Sequence, residues 1–331
     1  MKTSFKVLSI VAMLLLVTTG AFATNGMRMI GFGPVQNSMG GIGVAATLDA
    51  AAVITNPAGM SDLKGRIDFG ATYFVPTVKH NGVDAFASTD TIKSDVGPSP
   101  VPAFGLIIPI SDKLNFGIGA YGISGMGVDY ENNAYMSILR TNYSQMRFAP
   151  GLSYKINDMI SIGAVVNVMY ATMEFSAATA MTPAQEAHMN AASFGYGATV
   201  GVLVKPVEIV TVGLAYETKS NFQDFEFNTN AGKDNIEFNQ PQSITGGLAI
   251  IPVKGLTIAF ELQWIQWSDT NGKNLPKYTQ NSSSATSWKL NWEDQLVYKV
   301  GAQYALTPMF TVRAGFNYGK MPLDKSRAFE N

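Results

Sequence analysis

From residue 65 onward the chain consists of segments of roughly 9 to 15 residues in which apolar and polar side chains alternate at period two. The gaps joining them are by turns very short and long. The short ones are Ser111-Asp112, Asn157-Asp158, Lys205-Pro206, Pro252 to Lys254 and Thr307; the long ones fall near 76–100, 122–145, 175–192, 220–240 and 269–290. Period-two alternation puts one face of every strand against an apolar medium and the other against something else. A strand crossing a bilayer at a tilt needs roughly 9 to 11 residues, and membrane barrels join their strands by short turns on one side and long loops on the other. The pattern predicts an all-β, transmembrane antiparallel barrel over residues 64–331.

Both faces can be read off. In the strand near 159–174, Ile160, Ile162, Ala164, Val166, Val168 and Tyr170 face one way, and Ser161, Gly163, Val165, Asn167 and Met169 the other. Leu256, Ile258, Phe260, Leu262 and Trp264 oppose Thr257, Ala259, Glu261 and Gln263 in the same manner. In a secreted sandwich the apolar face would be the core; in a barrel it is the lipid side. The polar face favours the barrel. Gly195, Gly197, Thr199 and Gly201, like Gly117 and Gly119, would make a poorly packed exposed surface, but suit a wall against which something packs. Aromatic residues gather at both strand ends, with Tyr73, Tyr170, Tyr216, Trp264, Trp292 and Tyr318 outside and Tyr154, Tyr304 and Phe310 inside, as two interfacial girdles require.

The N-terminus predicts export. Lys2 and Lys6 precede an apolar run from Val7 to Val17, and Ala21-Phe22-Ala23 provides a small-residue cleavage site, so residues 1–23 read as a signal peptide. No later run reaches the roughly 18 apolar residues of a membrane helix. The absence of Cys removes disulfides and thiolate metal sites, and a net charge of -1 gives no reason to expect nucleic acid.

Residues 24–63 precede the first strand. They hold a Gly-rich run from Gly31 to Gly43 and then Asn56-Pro57-Ala58, where Asn56 suits a helix N-cap and Pro57 the first helical position, predicting a short helix to about Leu63. This Gly-rich start, the Asn56-Pro57-Ala58 triplet, the strand beginning at Gly65, and the stretch Val312-Arg313-Ala314-Gly315-Phe316-Asn317-Tyr318 with Met321-Pro322-Leu323 together resemble the FadL-type outer-membrane transporters. Members of that family take up long-chain fatty acids or, in some relatives, aromatic hydrocarbons. The resemblance implies that residues 24–63, with Asn56, Pro57 and Ala58, form a hatch inside a 14-stranded barrel. It also implies a kinked third strand that opens sideways to the membrane, which places a lateral exit at Gly119, Gly122 and Gly125.

Eleven strands are expected, near 65–75, 101–110, 113–121, 146–156, 159–174, 193–204, 207–219, 241–251, 254–268, 292–306 and 308–319. An antiparallel bacterial barrel needs an even number to close, so the chain reads as truncated at its C-terminus. Arg147, Lys155, Glu217, Glu261, Lys299 and Arg313 take lumen parity. Such charges either pair with the wall and the hatch or meet a substrate carboxylate; on the family resemblance Arg313 is the first candidate for that contact, with Arg147 and Lys299 chosen on parity.

Residues Ala134 to Leu139 and Pro183 to Ala192 carry Met and Ala at spacings compatible with short helices above the barrel. His80 and His188 have no metal-ligand spacing, and neither a metal nor a cofactor is expected. The function this points to is passive, hatch-gated uptake of a hydrophobic small molecule across a Gram-negative outer membrane. The barrel assembly machinery would insert the chain there as a monomer among lipid and lipopolysaccharide. A polar-solute porin is the alternative. An outer-membrane hydrolase is the third, for which His80 with Asp84 is the only pair to test.

Overall fold

A computed structural model describes residues 25–81, 91–132, 138–178, 186–229, 232–272, 277–279, 286–287 and 290–323. Among the described residues, eleven strands form the meander of one antiparallel sheet, which the short strand Asn221–Phe222 joins beside β6: β1 (Arg66–Phe74), β2 (Ser99–Pro109), β3 (Leu114–Asp129), β4 (Ile138–Lys155), β5 (Ile160–Ala178), β6 (Glu186–Val207), β7 (Val210–Glu217), β8 (Ser243–Val253), β9 (Leu256–Ile265), β10 (Gln295–Ala305) and β11 (Thr311–Gly319). Each pairs with its neighbours in chain order, from β1 to β11. Among the described residues no helix is long and apolar enough to cross a membrane.

Burial decides between sandwich and barrel. Ile162, Val166, Tyr170, Phe260, Leu262, Phe316 and Tyr318 are exposed, whereas Val165, Asn167, Met169, Ala259, Glu261 and Asn317 on the opposite faces are buried. An apolar face turned outward around a partly polar interior is the arrangement that lipid stabilises and water does not. Tyr73, Tyr154 and Phe310 are also exposed at strand ends, as expected of interfacial aromatics. Trp292 departs from the expected girdle: its ring lies edge-on to buried Trp267, with centroids 4.8 Å apart.

The interior is filled from the N-terminus. Residues 25–63 fold into α1 (Gly33–Ser38), α2 (Ala52–Thr55) and a 3-10 helix over Pro57–Asp62, packed on the concave side of the sheet. The Asn56 side chain caps that last helix by accepting the Ala58 N–H at 3.2 Å, with Pro57 in the first turn as expected.

Two expectations need correction. The third strand does not end at Tyr121; after a register shift between Gly122 and Ser124 it continues to Asp129, so Gly122 to Gly127 lie in a strand. A bulge redirects the strand without ending its pairing with β4. The segments expected as short helices are, where described, strands: Ile138 opens β4 and Glu186 opens β6. The β5 and β6 ladder runs unbroken to Ala178 and Glu186, and that many cross-strand hydrogen bonds override the helix preference of Ala and Met. The rest of those two segments, the signal peptide and Asp84 lie outside the described residues.

Candidate functional site

Glycines of the wall set the distance between sheet and filling. A methyl group at Gly163 would overlap the backbone of Pro57 and Ala58. At Gly201 it would strike the Asn56 side chain, at Gly213 Val44, at Gly301 and Gly315 Met39, and at Gly117 Met60. Each of six strands thus presents a bare backbone to the N-terminal segment. That is why small residues stand at lumen parity.

Charge fixes the same segment at two points. The turn at Gly40 and Gly41, both at positive φ, aims three successive N–H groups at one wall carboxylate. Glu261 Oε1 on β9 accepts from Gly43 at 2.9 Å, Val44 at 2.5 Å and Ala45 at 3.4 Å. Lys299 on β10, directly opposite Glu261 in the ladder, donates to the Gly41 carbonyl at 3.3 Å.

The second point is Arg28. Its guanidinium donates to Glu217 at 2.6 Å, Ser243 Oγ at 3.1 Å and the Pro241 carbonyl at 3.2 Å. Arg147 on β4 donates to the same oxygen of Glu217. Arg28, Glu217, Glu261 and Lys299 border one polar cavity of about 50 Å³, with room for water and not for a hydrocarbon.

The three candidate carboxylate ligands are therefore not equivalent. Arg147 and Lys299 belong to this charged layer, in which Glu217 and Glu261 already face them. Arg313 stands apart on β11, with Nε donating to Gln303 at 3.1 Å. Of the six charges that parity assigned to the lumen, five lie in or beside this site, and the sixth, Lys155, pairs at its strand end with Asp158 at 2.7 Å. Parity missed Arg28, which lies in no strand and carries no periodic signal.

Outward of this layer the lining turns apolar. Tyr143 packs edge-on against Phe225 and Phe238, with centroids 6.4 Å and 5.2 Å away, and Met169, Met173 and Phe227 are buried in the same cluster. A cavity of about 180 Å³ opens here, bounded by Met126, Tyr143, Met173, Phe175, Phe238 and Leu290. Its one charged liner, Glu174, is 3.7 Å from Arg140. Met126 belongs to the outer half of β3, beyond the bulge.

There the hydrogen bonding of the wall is interrupted, although Val101 of β2 still lies against Gly122 of β3. The β2–β3 ladder stops at Ala103 with Tyr121. Past that point the β3 backbone bonds instead to the N-terminal segment, Met29 N–H to the Ile123 carbonyl at 3.0 Å and Gly125 N–H to the Met27 carbonyl at 2.9 Å. Gly122 and Gly125 flank this break, while a Cβ on Gly119 would face Ile54 of α2 and the Tyr121 ring. Among the described residues no cluster of His, Asp and Glu could hold a metal.

An outward-apolar antiparallel sheet wrapped around a polar, filled interior defines the outer-membrane type of β-barrel. Residues 11–329 match the family described as outer membrane protein transport protein (OMPP1/FadL/TodX), and the chain belongs to that family. It is similar to outer membrane protein P1 of Haemophilus influenzae, with 24% identity over 92% of this chain and 80% of that one. In fold it is similar to the toluene transporter TodX of Pseudomonas putida (19% identity, 91% of this chain and 86% of that one, TM-score 0.69). The Ralstonia pickettii toluene transporter TbuX gives 18%, 88%, 87% and 0.68. A FadL homologue of Pseudomonas aeruginosa gives 17%, 92%, 82% and 0.67. The protein is an outer-membrane transport protein with a FadL-type β-barrel.

Proposed function

We propose that the protein takes up hydrophobic small molecules, long-chain fatty acids or related compounds such as aromatic hydrocarbons, across the Gram-negative outer membrane. Residues 1–23 direct export and are removed, residues 24–63 act as a hatch, and the solute enters from outside and leaves sideways between β2 and β3 into lipid. The observation that carries this reading is the apolar cavity, which shares no lining residue with the charged layer and, through Met126, borders the half of β3 that has lost its ladder with β2. A greasy solute gains nothing by crossing a layer of buried ions and loses the apolar contacts it has made. Release through the wall keeps it out of water throughout.

An apolar cavity of ~150 Å³ is enough to hold benzene, so the present one fits a single aromatic ring or a length of alkyl chain. Among the described residues its one charged liner is Glu174, which Arg140 faces at 3.7 Å, so the lining offers a carboxylate no cation of its own. The hydrocarbon therefore sits in this cavity and a fatty-acid head lies outside it. The solved toluene transporters of the same fold agree with such a solute. The test is uptake of labelled toluene and labelled oleate by cells with and without the protein. Toluene entry that depends on the protein is expected; no dependence for either compound ends the proposal.

A further inference from the structure

Two prolines stand at alternate positions in β2, and the register says what they do. The β1–β2 ladder runs through both, pairing Pro100 with Tyr73 and Pro102 with Ala71, and reaches Ser99. In an antiparallel ladder every second residue bonds to a given neighbour, and a proline has no N–H to donate. Because β1 remains paired past Pro100 and Pro102, the donors they lack are those that would have faced β3. The β2–β3 ladder ends immediately before the first of these would be needed, at Ala103 with Tyr121; the next pair would set Pro102 opposite Gly122.

On the other side of the seam, β3 bulges between Gly122 and Ser124 and takes backbone partners from Met27 and Met29. Further out the seam is bridged again, where Asp95 N–H donates to the Asp129 carbonyl at 2.8 Å and Asp129 N–H to Ser94 Oγ at 2.9 Å. The interruption is thus bounded above and below.

We propose that Pro100 and Pro102 are positioning residues that keep β2 from zipping onto β3, and so leave unbonded the seam that parts to let an uncharged hydrocarbon leave the lumen. This rests on the lateral exit proposed above. The β3 bulge alone does not keep the strands apart, since β4 pairs straight across it. The loss of donors on β2 is the part that cannot be repaired by a local adjustment.

The double variant Pro100→Val/Pro102→Val restores both donors, and is studied as the full chain in lipid nanodiscs for hydrogen exchange and in cells for uptake. A second pair, Val101→Cys/Gly122→Cys, staples the seam: a Cβ at Gly122 would lie 3.7 Å from Val101 Cβ, within disulfide range, and the chain has no other Cys. The expected result is that the new amides at 100 and 102 exchange hydrogen about 100-fold more slowly than a free strand edge, with protein-dependent toluene uptake reduced about tenfold. The staple should reduce uptake likewise, with recovery on adding reductant. The single variant Pro102→Val should shift both readouts in the same direction. If the staple blocks uptake but the new amides exchange freely and uptake by the valine variants is unchanged, the role of the prolines is overturned and the exit stands. If the staple forms and toluene uptake is undiminished, the exit itself is overturned, and the inference with it.

Discussion

Arg28 and Arg147 converge on a single carboxylate oxygen, so Glu217 holds together two guanidiniums more than a hundred positions apart in the chain. All three are largely removed from solvent, with side-chain exposures of 9%, 1% and 12%. Glu217→Gln removes their one negative partner among the described residues and leaves like charges facing each other, at a cost of about 3 to 5 kcal/mol. The N-terminal strap is the part free to respond. Cleavage by an added protease between residues 25 and 30 should accelerate in this variant while the barrel remains intact, and unchanged cleavage would show that the strap is held by its backbone bonds alone.

Asp49 is a titrating point in the N-terminal segment. Burial pushes its carboxyl up to about 6, the charge of Asp68 on β1 adds to this, and the Ala51 N–H, Arg66 and Arg313 oppose it. The folded chain therefore holds a proton that the unfolded chain releases near 3.8. Stability from this group is present at pH 4 and is lost as pH rises through 6, a difference of about 3 kcal/mol at most. Asp49→Asn keeps an oxygen for the Ala51 N–H and removes the titration. In denaturant titrations of the micelle-bound protein it should match the parent near pH 4 and exceed it at pH 7; a constant offset across that range would assign the effect to packing.

At the scale of elements, the close approach of the hatch to the sheet depends on glycines that no local preference demands. Gly163→Ala sets a methyl against the backbone of Pro57 and Ala58, which cannot yield without moving the capped turn at Asn56. Overpacking of this kind costs roughly 1 to 3 kcal/mol. Ion conductance in planar bilayers should rise because the hatch is unseated, whereas Gly246→Ala, at a position with open space around it, should leave conductance as it is. The six strands that carry these glycines were legible from alternation alone. The outer half of β3 was not: a Gly-rich stretch after Tyr121 reads as a loop until the partner strand β4 is seen to pair with it up to Asp129.

Taken whole, the molecule is a wall, a filling and an apolar chamber above the filling. If residues 24–63 act as the proposed hatch, deleting them should raise ion conductance and abolish selective hydrocarbon uptake together, because this segment lines the cavity of the charged layer. Raised uptake of toluene by the deletion would mean that the hatch only obstructs.

Period-two alternation determined the strands, their lipid face and the inward parity of Arg147, Glu217, Glu261 and Lys299, because side-chain direction in a strand is a local consequence of the pleat. The Asn56-Pro57 turn was legible for the same reason: capping acts over two or three residues. Only the tertiary structure decided which charge meets which. Arg28 lies 189 positions from Glu217, and Glu261 binds a turn 216 to 218 positions away. It also made Pro100 and Pro102 one side of a seam, since a missing donor matters only once the register says which neighbour it would have faced.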